Sequence, residues 1–148
     1  MKASGKNVSN RKKREKDNVS EKTRDIASDL SRLGSFDEIL EYLITYVTQT
    51  LEAERGSLFL HDPAAHQLYT RVALGNLSRE IRIDEQSGVA GWVFMNAEAT
   101  IVNNPYKDER FNKEVDERTG YQTKSLICVP IFSTGDIPIG VLQVLNKQ

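Results

Sequence analysis

The chain has 148 residues, 39% of them hydrophobic and 28% charged, with a formal net charge of -1, which suits one real core plus appendages. No apolar run approaches the roughly 18 residues a bilayer-spanning helix needs, and the N-terminus has no apolar signal segment, so a cytoplasmic location is expected and no membrane partner is implied. The only cysteine, Cys128, excludes an internal disulfide and a thiolate metal cluster, and within the apolar run 126–131 it reads as a buried structural thiol.

The net charge conceals two opposite parts. Residues 1–24 carry nine Lys or Arg against three Asp or Glu, and the remainder carries eleven against eighteen. The run Arg11-Lys12-Lys13-Arg14 is of the kind that attracts nucleic acid or anionic lipid. No aromatic residue is interleaved with it, so residues 1–18 read as a solvated, disordered tail and no nucleic-acid partner is expected.

Order is expected from about Asn18. Val19, Ile26, Leu30 and Leu33 draw a narrow apolar stripe along a helix over residues 19–34, either a dimerisation helix for a second chain or a linker lying on its own domain. Gly34 ends it, and Ser35 with Glu38 forms a capping box for the next helix. There Ile39, Leu40, Leu43, Ile44, Val47 and Leu51 make one broad face for a sheet.

The period then changes to two. Residues 56–62 read as a strand apolar on both faces, residues 62–64 as a turn, and residues 68–74 as a second strand broken by Gly75-Asn76. A short third strand follows over residues 80–84. His61 and His66 flank the first turn without another ligand at metal spacing. In Ser87-Gly88-Val89-Ala90-Gly91, Ser87 is a plausible N-cap of a short helix. The glycines admit either a phosphate at its free N–H groups or close packing on the sheet.

Ile101-Val102 is a strand stub, and Asn103-Asn104-Pro105 turns the chain into a long polar excursion. Tyr106, Phe111 and Val115 give that excursion one shallow apolar side, which predicts a surface helix closed by Gly120. Asp116, Thr119 and Thr123 either face inward from such a lid or serve as caps and turns. Residues 125–132 and 137–145 form a hairpin at the centre of a sheet, with Pro130 at a bulge or a locally unpaired edge. Gln143 is the one polar side chain in residues 141–145, satisfied by backbone or turned into a pocket. The chain stops just after this strand, which reads as a truncation.

Taken together, Arg55-Gly56-Ser57-Leu58-Phe59-Leu60, Glu80-Ile81-Arg82-Ile83, Gly88-Val89-Ala90-Gly91-Trp92-Val93, Tyr106-Lys107-Asp108-Glu109-Arg110-Phe111-Asn112, Val115-Asp116 with Thr119-Gly120-Tyr121, Ser125 through Ile131, and Gly140-Val141-Leu142-Gln143 with Asn146-Lys147 resemble the GAF domain. The likeness is greatest to the subgroup of cyclic-nucleotide phosphodiesterases and bacterial adenylyl cyclases. It covers residues 36–147, within a domain assigned to residues 35–148. The resemblance implies an α+β fold: a central antiparallel sheet of about six strands, helices on one face and a ligand-covering lid on the other.

It also implies a regulatory sensor that binds a cyclic nucleotide, cAMP or cGMP, forms a homodimer through flanking helices and controls a separate effector domain. By position, Arg55, Ser57 and Ala90 would contact the nucleotide, Ala90 through the helix start that receives the phosphate. Asp116, Thr119 and Thr123 match lid contacts. Ala73 and Leu74 stand where phosphodiesterase members place an aromatic and an acidic residue, and Gln143 stands where they place a Glu. Asn146 and Lys147 begin the Asn-Lys-Phe-Asp-Glu signature, whose remainder and C-terminal helix would follow Gln148. An alternative is a GAF domain that only dimerises. Enzymes of this type that reduce free methionine sulfoxide need several cysteines, and bilin or haem variants need a suitably placed Cys or His. The chain is therefore expected to be regulatory, not catalytic, and to hold no cofactor.

Overall fold

The computed structural model describes residues 4–30, 32, 34–74 and 80–148. It divides into two compact units, Met1–Ile39 and Leu40–Gln148. The first holds helix α1 (Ser4–Leu30), with every side chain from Arg11 to Asp25 exposed. The structure thus extends the helix through the basic stretch expected to be disordered. Lys, Arg and Glu are good helix formers, and Arg11 pairs with Glu15 one turn on, at 3.7 Å. Val19 is 65% exposed on this helix. Leu33 and the Leu30 side chain, the other half of the expected stripe, lie outside the described residues. The capping box is present: Glu38 N–H donates to Ser35 Oγ at 3.2 Å, and Glu38 Oε2 accepts from Ser35 N–H at 2.9 Å. It opens α2 (Phe36–Thr50).

The second unit is built on one antiparallel sheet. Its strands are β1 (Ala53–Asp62), β2 (Gln67–Leu74), β3 (Arg82–Asp84), β4 (Thr100–Val102), β5 (Leu126–Phe132) and β6 (Pro138–Lys147), in the order β3-β2-β1-β6-β5-β4. The Gly75-Asn76 break lies outside the described residues. The turn after β1 forms because Asp62 Oδ1 accepts from Ala64 and Ala65 N–H, an Asx motif. Pro130 meets the edge expectation and not the bulge, since it pairs in register with Val141. β4 pairs with β5 only as far as Cys128, so β5 is an edge at Pro130, and the β5–β6 register slips between Ile131 and Phe132.

Two cores sandwich the sheet. Residues 56–59 of β1 are all buried, as a strand apolar on both faces requires. On one face Leu58 and Val144 are buried, as are Leu40 and Ile44 of α2, which approaches the sheet at Gly56. The approach is so close that a Cβ on Gly56 would collide with the Thr48 hydroxyl. On the other face Phe59, Val102, Leu126, Cys128 and Val141 pack with Val89, Ala90, Val93 and Phe94 of α3 (Gly88–Asn96). Glycine is demanded at Gly140, where a Cβ would strike the Phe59 carbonyl, and at Gly91, where it would lie 2.5 Å from the Gln86 carbonyl carbon. Cys128 is fully buried, and burial alone pushes its thiol up to about 12. A thiol held protonated is inert.

Candidate ligand site

The site grows from the start of α3. Ser87 holds the N-cap position with extended backbone (φ -85, ψ 139), yet its side chain makes no cap hydrogen bond. Gly91 N–H bonds back to the Ser87 carbonyl at 3.0 Å. Among the described residues no group accepts from the N–H groups of Gly88, Val89 or Ala90. Donors without a partner at the positive end of a helix are suited to an anion. Gly88 has φ +71, the left-handed region glycine enters without strain.

Residues 103–125 then cross over this end of the helix as a strap. The expected single helix from Tyr106 is not formed. The segment breaks into a 3-10 turn (Pro105–Lys107) and a short α4 (Glu114–Thr119), with turns between them. The physical reason is side-chain competition for backbone donors. Asp108 Oδ1 accepts from Arg110 N–H at 2.9 Å, and Asn112 Oδ1 accepts from Glu114 N–H at 2.9 Å. Both are Asx bonds that a continuous helix excludes. Two contacts hold the middle of the strap on α3. Asn112 Nδ2 donates to Ser87 Oγ at 3.1 Å, and the Arg110 guanidinium lies 4.5 Å above the Trp92 ring, fixed by Asp108 at 2.7 Å.

Asp116 anchors the end of the strap. The residue is 6% exposed. Its carboxylate accepts from Thr123 N–H at 2.7 Å, Thr123 Oγ1 at 2.8 Å and Tyr106 OH at 2.8 Å. Tyr106 and Thr123, from the two ends of the strap, therefore meet on one carboxylate, and the hydrogen bond to it, with burial second, raises the Tyr106 hydroxyl pKa. Gly120, with φ 68, closes α4 as expected.

Under the strap lies a cavity of about 70 Å³. Its walls include Phe59, Ile81, Ile83, the Ser87–Ala90 turn, Phe111, Asn112, Asp116, Thr123 and Gln143. Of the residues expected to bind ligand, Ala90, Asp116, Thr123 and Gln143 line it. Gln143 is half-buried and its amide has no hydrogen bond to any described residue, so of the two expectations for it, the pocket is the one observed. Ser57 pairs with Ala73 on one side and Gln143 on the other, so these three form one row across the sheet, with only Gln143 reaching the cavity. Thr119 is exposed and its hydroxyl donates to the Val115 carbonyl at 2.8 Å, inside its own helix. Arg55 lies 3.7 Å over the Tyr121 ring, and Tyr121 OH donates to Glu54 at 2.8 Å. Asn112 is the residue that sequence reasoning missed as part of the site, and Asn146, which it places in the Asn-Lys-Phe-Asp-Glu signature, carries no contacts there. The signal for Asn112 was its place two residues before Glu114, where an Asx bond starts a helix.

Carboxylates around this frame are held below their ordinary values. Asn146 and then Tyr121 do so for Glu54 through hydrogen bonds, the Ala65 N–H and then Arg82 for Asp62, and Arg110 for Asp108. For Glu85 the cause is His61 first and then His66, at 2.7 and 3.1 Å. A depressed carboxylate contributes stability that is present above its unfolded value and lost as pH falls through its folded one. Thermal melts are expected to be level from pH 7 to about 5 and to decline below the ordinary values of 3.8 and 4.5. A decline already complete at pH 5 would contradict these assignments. Among the described residues no group of three or more His, Cys, Asp or Glu is placed to hold a metal ion.

A family model described as the GAF domain matches residues 35–148. The chain belongs to the GAF domain family. A probable 3',5'-cyclic phosphodiesterase of Caenorhabditis elegans is 38% identical over 126 residues, covering 77% of this chain and 17% of that protein. A dual 3',5'-cyclic-AMP and -GMP phosphodiesterase of Drosophila melanogaster is 35% identical over 151 residues, covering 90% of this chain and 10% of its own length. The chain thus spans less than a fifth of either relative, and these matches are to GAF regions without the catalytic domain. Among solved structures, the GAF domain of a phosphoenolpyruvate-protein phosphotransferase from Coxiella burnetii superposes with a TM-score of 0.76 at 17% identity, covering 84% of this chain and 75% of that one. The GAF fold, a curled six-stranded antiparallel sheet with four helices, is the fold observed here. It is a regulatory fold, and no described helix is long and apolar enough to cross a membrane.

Proposed function

We propose that this GAF domain is a cytoplasmic small-molecule sensor that binds a cyclic nucleotide, cAMP or cGMP, between the sheet and the strap and thereby controls a separate effector domain. One observation carries the reading: Gly88, Val89 and Ala90, whose N–H groups meet no acceptor among the described residues, line the same cavity as Gln143, whose amide meets no described partner. The first suits a cyclic phosphate and the second a base edge. Ser57 and Ala73 continue the Gln143 row beyond the present cavity and would join its floor once the strap moves, while Asp116 and Thr123 hold the strap that covers it. Relatives whose names are cyclic-nucleotide phosphodiesterases support the ligand class. The α1 helix, exposed from Arg11 to Asp25, serves as the dimer contact.

A cavity of about 70 Å³ is smaller than the roughly 300 Å³ of the smallest ordinary ligand sites. The strap must therefore move to admit a nucleotide, and binding must favour one strap position over the other. The same small volume favours the second reading, a GAF domain that dimerises without a ligand. Calorimetric titration of the full chain with cAMP and with cGMP decides between them. Saturable heat is expected, with a stabilisation of about 2.7 kcal/mol at a hundredfold excess over Kd. No heat and no thermal shift at millimolar nucleotide would overturn the sensor reading and leave the dimerisation module.

A further inference from the structure

We propose that the outer side of α3 carries a second ligand site, a cleft that takes a small aromatic carboxylate, with the ring against Trp92 and Met95 and the carboxylate on Arg110. Val89, Ala90, Val93 and Phe94 turn into the core, which leaves Met95 and Asn96 exposed and Trp92 half-buried. With Glu109 and Arg110 of the strap, these three line an open cleft of about 460 Å³. That volume lies within the roughly 300–1,000 Å³ of ordinary small-molecule sites, without any rearrangement. The site is independent of the nucleotide reading.

Arg110 is what distinguishes this cleft from a surface hollow. Its Nε donates to Asp108 Oδ1 at 2.9 Å and its Nη2 to Asp108 Oδ2 at 2.7 Å, while the guanidinium lies 4.5 Å over the Trp92 ring. Nη2 also reaches Thr100 Oγ1 at 3.5 Å. The donors on Nη1 meet no acceptor among the described residues. A guanidinium already fixed in place, with one edge unspent, binds a carboxylate at little cost in side-chain entropy. The rest of the cleft suits a ring. Met95, one turn from Trp92, is 53% exposed, and a flat ring gains from both the indole and the thioether. Asn96 Nδ2 donates to the Trp92 carbonyl at 2.8 Å, which leaves its Oδ1 as an acceptor for a ring hydroxyl. Glu109 is exposed, so solvent screens its repulsion. With Asp108 already balancing Arg110, the cleft suits a single carboxylate better than a phosphate.

Trp92 is the only tryptophan in the chain, so its fluorescence and its indole N–H resonance report on the cleft directly. The probes are benzoate, benzamide, benzylammonium and acetate, which vary charge and ring separately. Benzoate is expected to shift both signals saturably with a midpoint on the order of 1 mM, the scale for so small a ligand. The other three should bind at least about tenfold more weakly. Arg110→Lys keeps the charge without the fork and should weaken benzoate by about tenfold. Met95→Ala, at an exposed position, should weaken it about threefold with an unchanged melt, which keeps the test decisive if Arg110→Lys is less stable. Benzamide or benzylammonium binding as well as benzoate overturns the site, as does benzoate affinity unchanged in either variant. So does the absence of a saturable shift at roughly twentyfold the expected midpoint, or a benzoate shift centred on Gln143 under the strap and not on Trp92.

Discussion

Replacing Asn146 by alanine is expected to cost about 3 kcal/mol and lower Tm by about 10 °C. The side chain joins three segments that the sequence separates widely. Its Oδ1 accepts from Lys124 N–H at 2.6 Å and Ser125 N–H at 3.2 Å, while its Nδ2 donates to Glu54 at 2.9 Å and to the Gln122 carbonyl at 3.0 Å. Alanine would leave two backbone donors at the foot of the strap without an acceptor. It would also have to adopt φ 54, a left-handed conformation that Asn tolerates and that costs other residues roughly 1 kcal/mol or more. Asn146→Gly separates the two contributions, because it removes the bonds without the backbone penalty and is expected to recover about 1 kcal/mol. Asn146→Asp keeps the acceptors but sets a second carboxylate against Glu54, whose pKa is held down chiefly by the Asn146 bond. That variant should be more stable at acid pH than at neutral pH, relative to wild type. Urea melts of the four proteins check the series, and a loss below 0.5 kcal/mol for Asn146→Ala would show that water replaces the side chain.

The contrast between Asn146 and the strands explains what was legible beforehand. Strands β1, β2, β5 and β6 announce themselves because each buries a face, and period two together with turn residues such as Asp62 encodes that locally. The capping box at Ser35 and Glu38 is likewise written within four residues. Asn146 bonds across 92 residues to Glu54, a relation no local pattern carries. The same holds for Ser87, whose residue type signals a cap and whose hydroxyl instead meets Asn112 from 25 residues away. In the strap the error has a different origin. Tyr106, Phe111 and Val115 have near-helical spacing, but Asp108 and Asn112 each take a backbone donor that the helix would use, and a shallow apolar side cannot outweigh both. Family resemblance places the expected contacts on β1, β2, β6, α3 and the strap. The structure divides the expected contacts into those that wall the cavity and those, like Thr119 and Arg55, whose polar groups are engaged elsewhere.

The division matters most at Asp116, where Asp116→Ala is expected to cost about 3 kcal/mol and to abolish nucleotide binding together with the loss of stability. Hydrogen bonds to a charged acceptor contribute roughly 1.5–3 kcal/mol each before allowing for their lack of additivity, and an orphaned buried donor adds its desolvation cost. Thr123 is 2% exposed, so neither its N–H nor its hydroxyl has water to replace the lost carboxylate. Tyr106→Phe removes only the outermost of the three bonds and should cost about 1 kcal/mol. Combined with Asp116→Ala it should add almost nothing, since the hydroxyl has already lost its partner. A nucleotide-contacting carboxylate gives the opposite signature: binding falls while the melt is unchanged and the Tyr106 cycle is additive. Signalling assays on Asp116→Ala alone therefore cannot separate an occupied pocket from an empty one, because the strap loses its anchor in either case. Melting and titration measured on the same variants can. If Asp116→Ala melts within 1 °C of wild type and still loses the nucleotide, the carboxylate faces the ligand and the anchoring of the strap must lie elsewhere.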